Sequence, residues 1–148
     1  GYILHKLNRH QEALECCNQA ININSKDANA WSNKGYILHK LNRHQEALEC
    51  CNQAIKINPK YASAWHDKGY ALGELGRHKG ALACYDQALK IEPGNKKTWF
   101  NKGCTLNDLG RSQKALECCN QAIKIDSKYL KAVKLRQSIL AKLRKQKI

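Results

Sequence analysis

Methionine is missing from the 148 residues, proline occurs only twice, and 12 acidic side chains face 26 basic ones. No apolar run approaches the roughly 18 residues that a membrane-spanning helix needs, which excludes a helical span. The opening residues have neither the apolar core nor the small-residue cleavage site of a secretory signal. A glycine-rich phosphate loop, an HExxH pair, a CxxC pair and a nucleophile elbow are all absent. The carboxylates are scattered, often in helical pairs such as Glu12/Glu15 and Glu46/Glu49, a pattern that suits a solvated face. These absences read as no enzyme, no metal and no cofactor. The net charge of +14 favours acidic partners and solubility and says nothing of fold.

What is present is repetition. Residues 1–21 read GYILHKLNRHQEALECCNQAI, and residues 35–55 repeat them without a change. Looser copies open at Gly69 and Gly103, so four glycines keep a period of 34 residues. Self-similarity at this period marks a stacked array in which each unit covers only its neighbours. With no methionine and a start inside a unit, the sequence reads as a fragment of a longer protein.

The eight cysteines keep the same period: Cys16/Cys17, Cys50/Cys51, Cys84 and Cys118/Cys119, with Cys104 apart. Packing is the expected role, because free cysteine behaves as a small buried hydrophobe. Adjacent cysteines on a helix do not face each other. Helices ~8–10 Å apart do not bring Cβ atoms within disulfide reach. A reducing, cytoplasmic compartment fits this usage. His10 and Cys17, like His44 and Cys51, share a face, but Leu14 and Leu48 lie on the same stripe, which favours core over zinc.

Within residues 28–61, Ala30, Trp31, Leu38 and Leu41 recur at helical spacing around Gly35. Asn42, matched by Gly76 and Gly110, stands where a left-handed helix cap is wanted. A second helix is expected over residues 43–57, with Ala47, Leu48, Cys51, Ala54 and Ile55 inward, and Pro59 ends the unit. Pro93 does the same one unit later, while Ser25 and Ser127 replace it elsewhere and should leave those turns less rigid. By the same phase, residues 1–21 are the second half of one helix and most of the next.

The series Trp31-Gly35-Ala47-Ala54-Pro59, Trp65-Gly69-Ala81-Tyr85-Ala88-Pro93 and Trp99-Gly103-Ala115-Ala122 resembles the tetratricopeptide repeat. Its departures are regular. Lysine (Lys34, Lys68, Lys102) stands where the family usually has leucine, and cysteine (Cys17, Cys51, Cys119) replaces the large aromatic that only Tyr85 keeps. The leaner core should be of modest stability. The resemblance implies an all-α, right-handed superhelical array of 34-residue helix–turn–helix repeats, an α-solenoid. Its units are a truncated repeat at 1–27, complete repeats at 28–61, 62–95 and 96–129, and a C-terminal capping helix at 130–148.

The resemblance also implies a function: a protein–protein interaction scaffold whose first helices line a concave groove for a peptide. Groove positions carried over from the family include Tyr2, Asn33, Tyr36, His39, His66, Asp67, Tyr70, Phe100, Asn101 and Asn107, with Ser32 and Lys40 beside them. The family's chaperone clamp for a C-terminal carboxylate maps onto Ser32, Tyr36, Asp67, Lys97 and Asn101, or one unit later onto His66, Tyr70, Asn101, Lys131 and Leu135. Neither set matches well enough to support it. A second reading is electrostatic. Residues 130–148 hold seven basic side chains and no acid, among them Lys142, Arg144, Lys145 and Lys147, which could attract nucleic acid or an acidic surface. No aromatic residue is there to stack on bases, so nucleic acid is the less favoured partner. Self-association or domain swapping is a third expectation, because identical repeats make exchanged pairings nearly as favourable as native ones.

Overall fold

The computed structural model describes residues 2–147, and among them every regular element is helical. The helices are α1 (Tyr2–Ile23), α2 (Ala28–Lys40), α3 (His44–Ile57), α4 (Ala62–Glu74), α5 (His78–Ile91), α6 (Lys96–Asp108), α7 (Ser112–Ile125) and α8 (Leu130–Gln146). Each packs on the next in the chain. In addition α2 meets α4, α4 meets α6 and α6 meets α8, whereas α3, α5 and α7 do not meet one another. The even-numbered helices therefore converge on the inner side of a curved array, and α3, α5 and α7 spread on the outer side.

The turns follow from single residues. Asn42, Gly76 and Gly110 have φ of 59°, 78° and 77°. In each hairpin the next amide closes on the carbonyl five residues back (Arg43 on Leu38 at 2.8 Å, Arg77 on Leu72 at 2.8 Å, Arg111 on Leu106 at 2.9 Å). This left-handed cap satisfies carbonyls that the helix end leaves open. Between units, the indole N–H of Trp65 and Trp99 donates to the carbonyls of Pro59 and Pro93 at 2.7 and 2.8 Å. Trp31 does the same to Ser25 at 2.9 Å, so the turn without proline is tied in the same way. Asp27 and Asn95 cap α2 and α6 through their side chains.

The hairpins close because the facing positions are small. Ala47, Ala54, Ala81, Ala115 and Ala122 are fully buried, as are Cys51 and Cys119. A Cβ on Gly35 would lie 3.2 Å from Cys51 Sγ and 3.4 Å from the Ala47 carbonyl. At Gly69 it would lie 2.7 Å from Cε1 of Tyr85, whose ring is 2% exposed and cannot yield. Gly69→Ala is therefore expected to lose about 1–2 kcal/mol net, overpacking outweighing the better helix propensity of alanine. Gly35→Ala should be nearly neutral. Urea unfolding of the two variants checks the contrast.

The periodic lysines also find a reason. The ammonium groups of Lys34, Lys68 and Lys102 stand 5.5–5.6 Å from the ring centroids of Trp31, Trp65 and Trp99. The aliphatic stem covers apolar surface while the charge meets the ring face and solvent.

One expectation is corrected. Residues 1–21 and 35–55 share a sequence but not a conformation. The second copy turns at Asn42, while the first, from Tyr2 onward, runs straight through Asn8 as part of the 22-residue α1. Residues 28–34, with Trp31 pinned to the preceding loop, anchor the second copy's hairpin. A non-glycine residue at positive φ carries a cost that surrounding contacts must offset, and around Asn42 they do.

Candidate peptide groove

The inner side carries a groove of about 280 Å³ into which α2, α4, α6 and α8 each send side chains. Helical spacing sets its rhythm. Tyr36, Tyr70 and Phe100 come from successive inner helices, Lys40 from the end of α2, Lys97 from the first turn of α6 and Lys131 from α8. Tyr129 closes the far end, its ring edge-on to Phe100 with centroids 5.7 Å apart. Tyr36 and Tyr70 are 52% and 39% exposed, high for aromatic rings, and so are available to a ligand.

Beneath these rings lies a polar layer that is already internally bonded. His39 is buried and its Nε2 donates to the Asp67 carbonyl at 3.0 Å. Its Nδ1 then accepts from Nδ1 of His44 at 3.3 Å. The ring stands edge-on to Tyr70, centroids 5.1 Å apart, and fixes that tyrosine's attitude in the groove. Burial pushes His39 below the ordinary histidine value. One unit on, His66 Nδ1 donates to Thr98 Oγ1 at 2.8 Å, and Asn101 Nδ2 donates to His66 Nε2 at 3.3 Å. These roles assign the neutral ring. Burial first, then the positive charge of Lys97, lowers the His66 pKa to about 4. Asp67 contributes a half-buried carboxyl that burial raises to about 7.

Seven of the sequence-proposed positions line this one groove: Tyr36, His39, His66, Asp67, Tyr70, Phe100 and Asn101. Tyr2, Asn33 and Asn107 do not. Tyr2 lies on the exposed end of α1, Asn33 is exposed on α2, and the side-chain oxygen of Asn107 is buried without a hydrogen-bond partner. Ser32 is buried as well. Tyr129 escaped sequence reasoning, and Lys97 and Lys131 entered it only through the clamp comparison. Their signal was the 34-residue step between the two lysines, each in the first turn of an inner helix. Lys142, Arg144, Lys145 and Lys147 are exposed at the end of α8, outside the groove.

The thiols stay out of this chemistry. Burial pushes Cys50, Cys104 and Cys118 up to about 11, so the reactive thiolate is disfavoured. All eight cysteines are free. Among the described residues no three histidine, cysteine or acidic side chains converge as a metal site would require.

Comparison with known proteins agrees with this architecture. Residues 28–61, 62–95 and 97–129 match the family model described as Tetratricopeptide repeat, and residues 1–42 match a second one described as TPR repeat. The chain belongs to the tetratricopeptide repeat family. No curated protein matches it by sequence. Among solved structures it resembles YrrB, described as a TPR protein with an unusual peptide-binding site, at 23% identity and a TM-score of 0.79, over 92% of this chain and 69% of that one. It also resembles the first TPR of Spaghetti (RPAP3) bound to the HSP90 peptide SRMEEVD, at 16% identity and a TM-score of 0.78, over 82% and 96% of the two chains. A structure of MamA matches at 14% identity and a TM-score of 0.78, over 96% and 93%. At these identities the likeness is one of fold, here a tetratricopeptide array of all-α repeats. No helix among the described residues is long and apolar enough to cross a membrane.

Proposed function

We propose that this tetratricopeptide array is a protein-interaction scaffold that holds an acidic peptide segment in its inner groove, by recognition without chemistry. One observation carries the reading. Four aromatic rings and three lysines line a single groove against one carboxyl, that of Asp67. Aromatic side chains supply contact area at low entropy cost, and exposed lysines supply steering and choice of sign. The bonded layer of His39, His66, Thr98 and Asn101 holds the groove's shape before any ligand arrives, which lowers the cost of binding. That two fold relatives are described with peptide sites accords with this use.

Fluorescence anisotropy with acidic, neutral and basic labelled peptides tests it. The acidic set should bind best. Tyr70→Ala should weaken binding roughly tenfold or more, as expected for a central aromatic anchor. Lys97→Gln should weaken it less and flatten its salt dependence. Replacing Lys142, Arg144, Lys145 and Lys147 together by glutamine should leave peptide binding unchanged. If that variant instead loses binding and Tyr70→Ala does not, the basic end of α8 is the site and the groove reading fails.

A further inference from the structure

Asp67 brings the one carboxyl into a groove lined by three lysines and four aromatic rings, and it stands there without a partner. Among the described residues no side chain hydrogen-bonds or ion-pairs with its carboxylate, and burial alone raises its pKa. His39 bonds to its backbone carbonyl, not to its side chain, and the ring of His66 is taken up by Thr98 and Asn101. The residue is peculiar to the middle unit. The same register holds Asn33 one unit earlier and Asn101 one unit later. An amide in that place can be satisfied from within, as Asn101 is by His66, whereas a half-buried carboxylate needs a donor or a cation.

The rings of the groove divide in the same sense. Tyr36 and Tyr129 already have the ammonium groups of Lys40 and Lys96 over them, each 5.2 Å from the ring centroid. Among the described residues no ammonium group stands over Tyr70 or Phe100. Tyr70 lies three residues beyond Asp67 on α4, so the two share a face. Phe100 comes from α6, which packs on α4. A carboxylate beside two rings that no cation covers is the chemistry of a cation site. Given a peptide in this groove, as proposed above, we infer that its acidic sequence is broken by one basic residue, an arginine or lysine that seats on Asp67 beside Tyr70 and Phe100. Its carboxylates meet Lys40, Lys97 and Lys131. Arginine suits the place better than lysine, because its planar group stacks on a ring while bonding both carboxylate oxygens. The arrangement also selects. An all-acidic segment leaves Asp67 without a partner, and an all-basic one meets three lysines.

The test uses the whole chain and a defined probe. Four inner helices at steps of roughly 8–10 Å span about eight or nine residues of extended chain. The probe is therefore a labelled nonapeptide of glutamate, serine and glycine, with arginine moved through each internal position and glutamine at the same position as its control. At pH 8, where Asp67 is mostly ionised, fluorescence anisotropy should find a position at which arginine binds about tenfold more tightly than glutamine. Asp67→Asn should erase that difference while binding the glutamine peptide at least as well as the parent does. Asparagine is the residue of the two neighbouring units, and unchanged circular dichroism shows that the variant is folded. If arginine has no advantage at any position, or keeps it in Asp67→Asn, the inference is overturned. The groove reading survives that result when the glutamine peptide still loses its binding in Tyr70→Ala. If no acidic peptide binds at all, both fail together.

Discussion

Tyr85→Ala is expected to destabilise the array by about 3–5 kcal/mol, the usual loss when a buried aromatic side chain is deleted from a core. Tyr85 is the largest fully buried side chain, 2% exposed. Its ring packs against Gly69, and its centroid is 5.8 Å from that of His66. Removing it opens a cavity between α4 and α5 and loosens the ring that supports the groove's bonded layer. Urea unfolding followed by tryptophan fluorescence measures the loss, because Trp65 lies in the same cluster. Tyr85→Cys introduces the residue found at the equivalent sites Cys51 and Cys119 and should cost somewhat less. The mechanism has a sharper signature. Gly69→Ala clashes with the ring, so in the Tyr85→Cys background its penalty should vanish or reverse. A double-mutant cycle with a coupling of about 1 kcal/mol or more is expected from direct contact. Additive losses would show that Gly69 and Tyr85 act independently.

The second large effect concerns pH. Asp67 has its carboxyl raised from 3.8 to about 7 by burial, so folding favours the protonated form. Its contribution is fully present below the unfolded value and is lost as pH rises through about 7. His66 works in the opposite direction. Burial lowers it from 6.5 to about 4, so its stabilising effect is present above 6.5 and is lost as pH falls through about 4. Between those limits the two slopes oppose each other, and the parent chain should change little in stability over mildly acidic pH. Asp67→Asn removes one side of that balance. At pH 8 the variant should be more stable than the parent by about 2–4 kcal/mol, because it no longer holds an ionised carboxylate in a half-buried place. The gain should shrink steadily and disappear near pH 4. Thermal melts from pH 4 to 8 measure it, and a variant equal to the parent at pH 8 would refute the buried-charge account. A weakened carboxyl also suits an acidic ligand, since below pH 7 Asp67 is mostly protonated and repels it less.

Much of this molecule is legible in its sequence because its interactions are local. The 34-residue step, the alanines and cysteines at hairpin contacts, and the left-handed caps at Gly76 and Gly110 follow from periodicity and backbone sterics. So does the apolar stripe of α8, where Ala132 and Ile139 are buried and the basic residues face outward. The groove was legible at the positions that helical phase projects inward, such as Tyr36, Tyr70 and Phe100. It was not legible at Tyr129, which precedes α8 and enters the groove only through the packing of α8 on α6. Nor does sequence show that the side chains of His66 and Asn101 bond to each other across 35 residues.

Residues 1–21 and 35–55 mark that boundary most plainly. Identical letters carry identical propensities, yet from Tyr2 onward one stretch is a straight helix and the other a hairpin. Local preference is the same at Asn8 and Asn42 and so does not separate them. The packing of residues 28–34 on their surroundings holds the turn at Asn42. The unit, its period and its inward face belong to the sequence alone; whether the asparagine turns is decided by tertiary contact, because the cost of its left-handed conformation must be offset by packing.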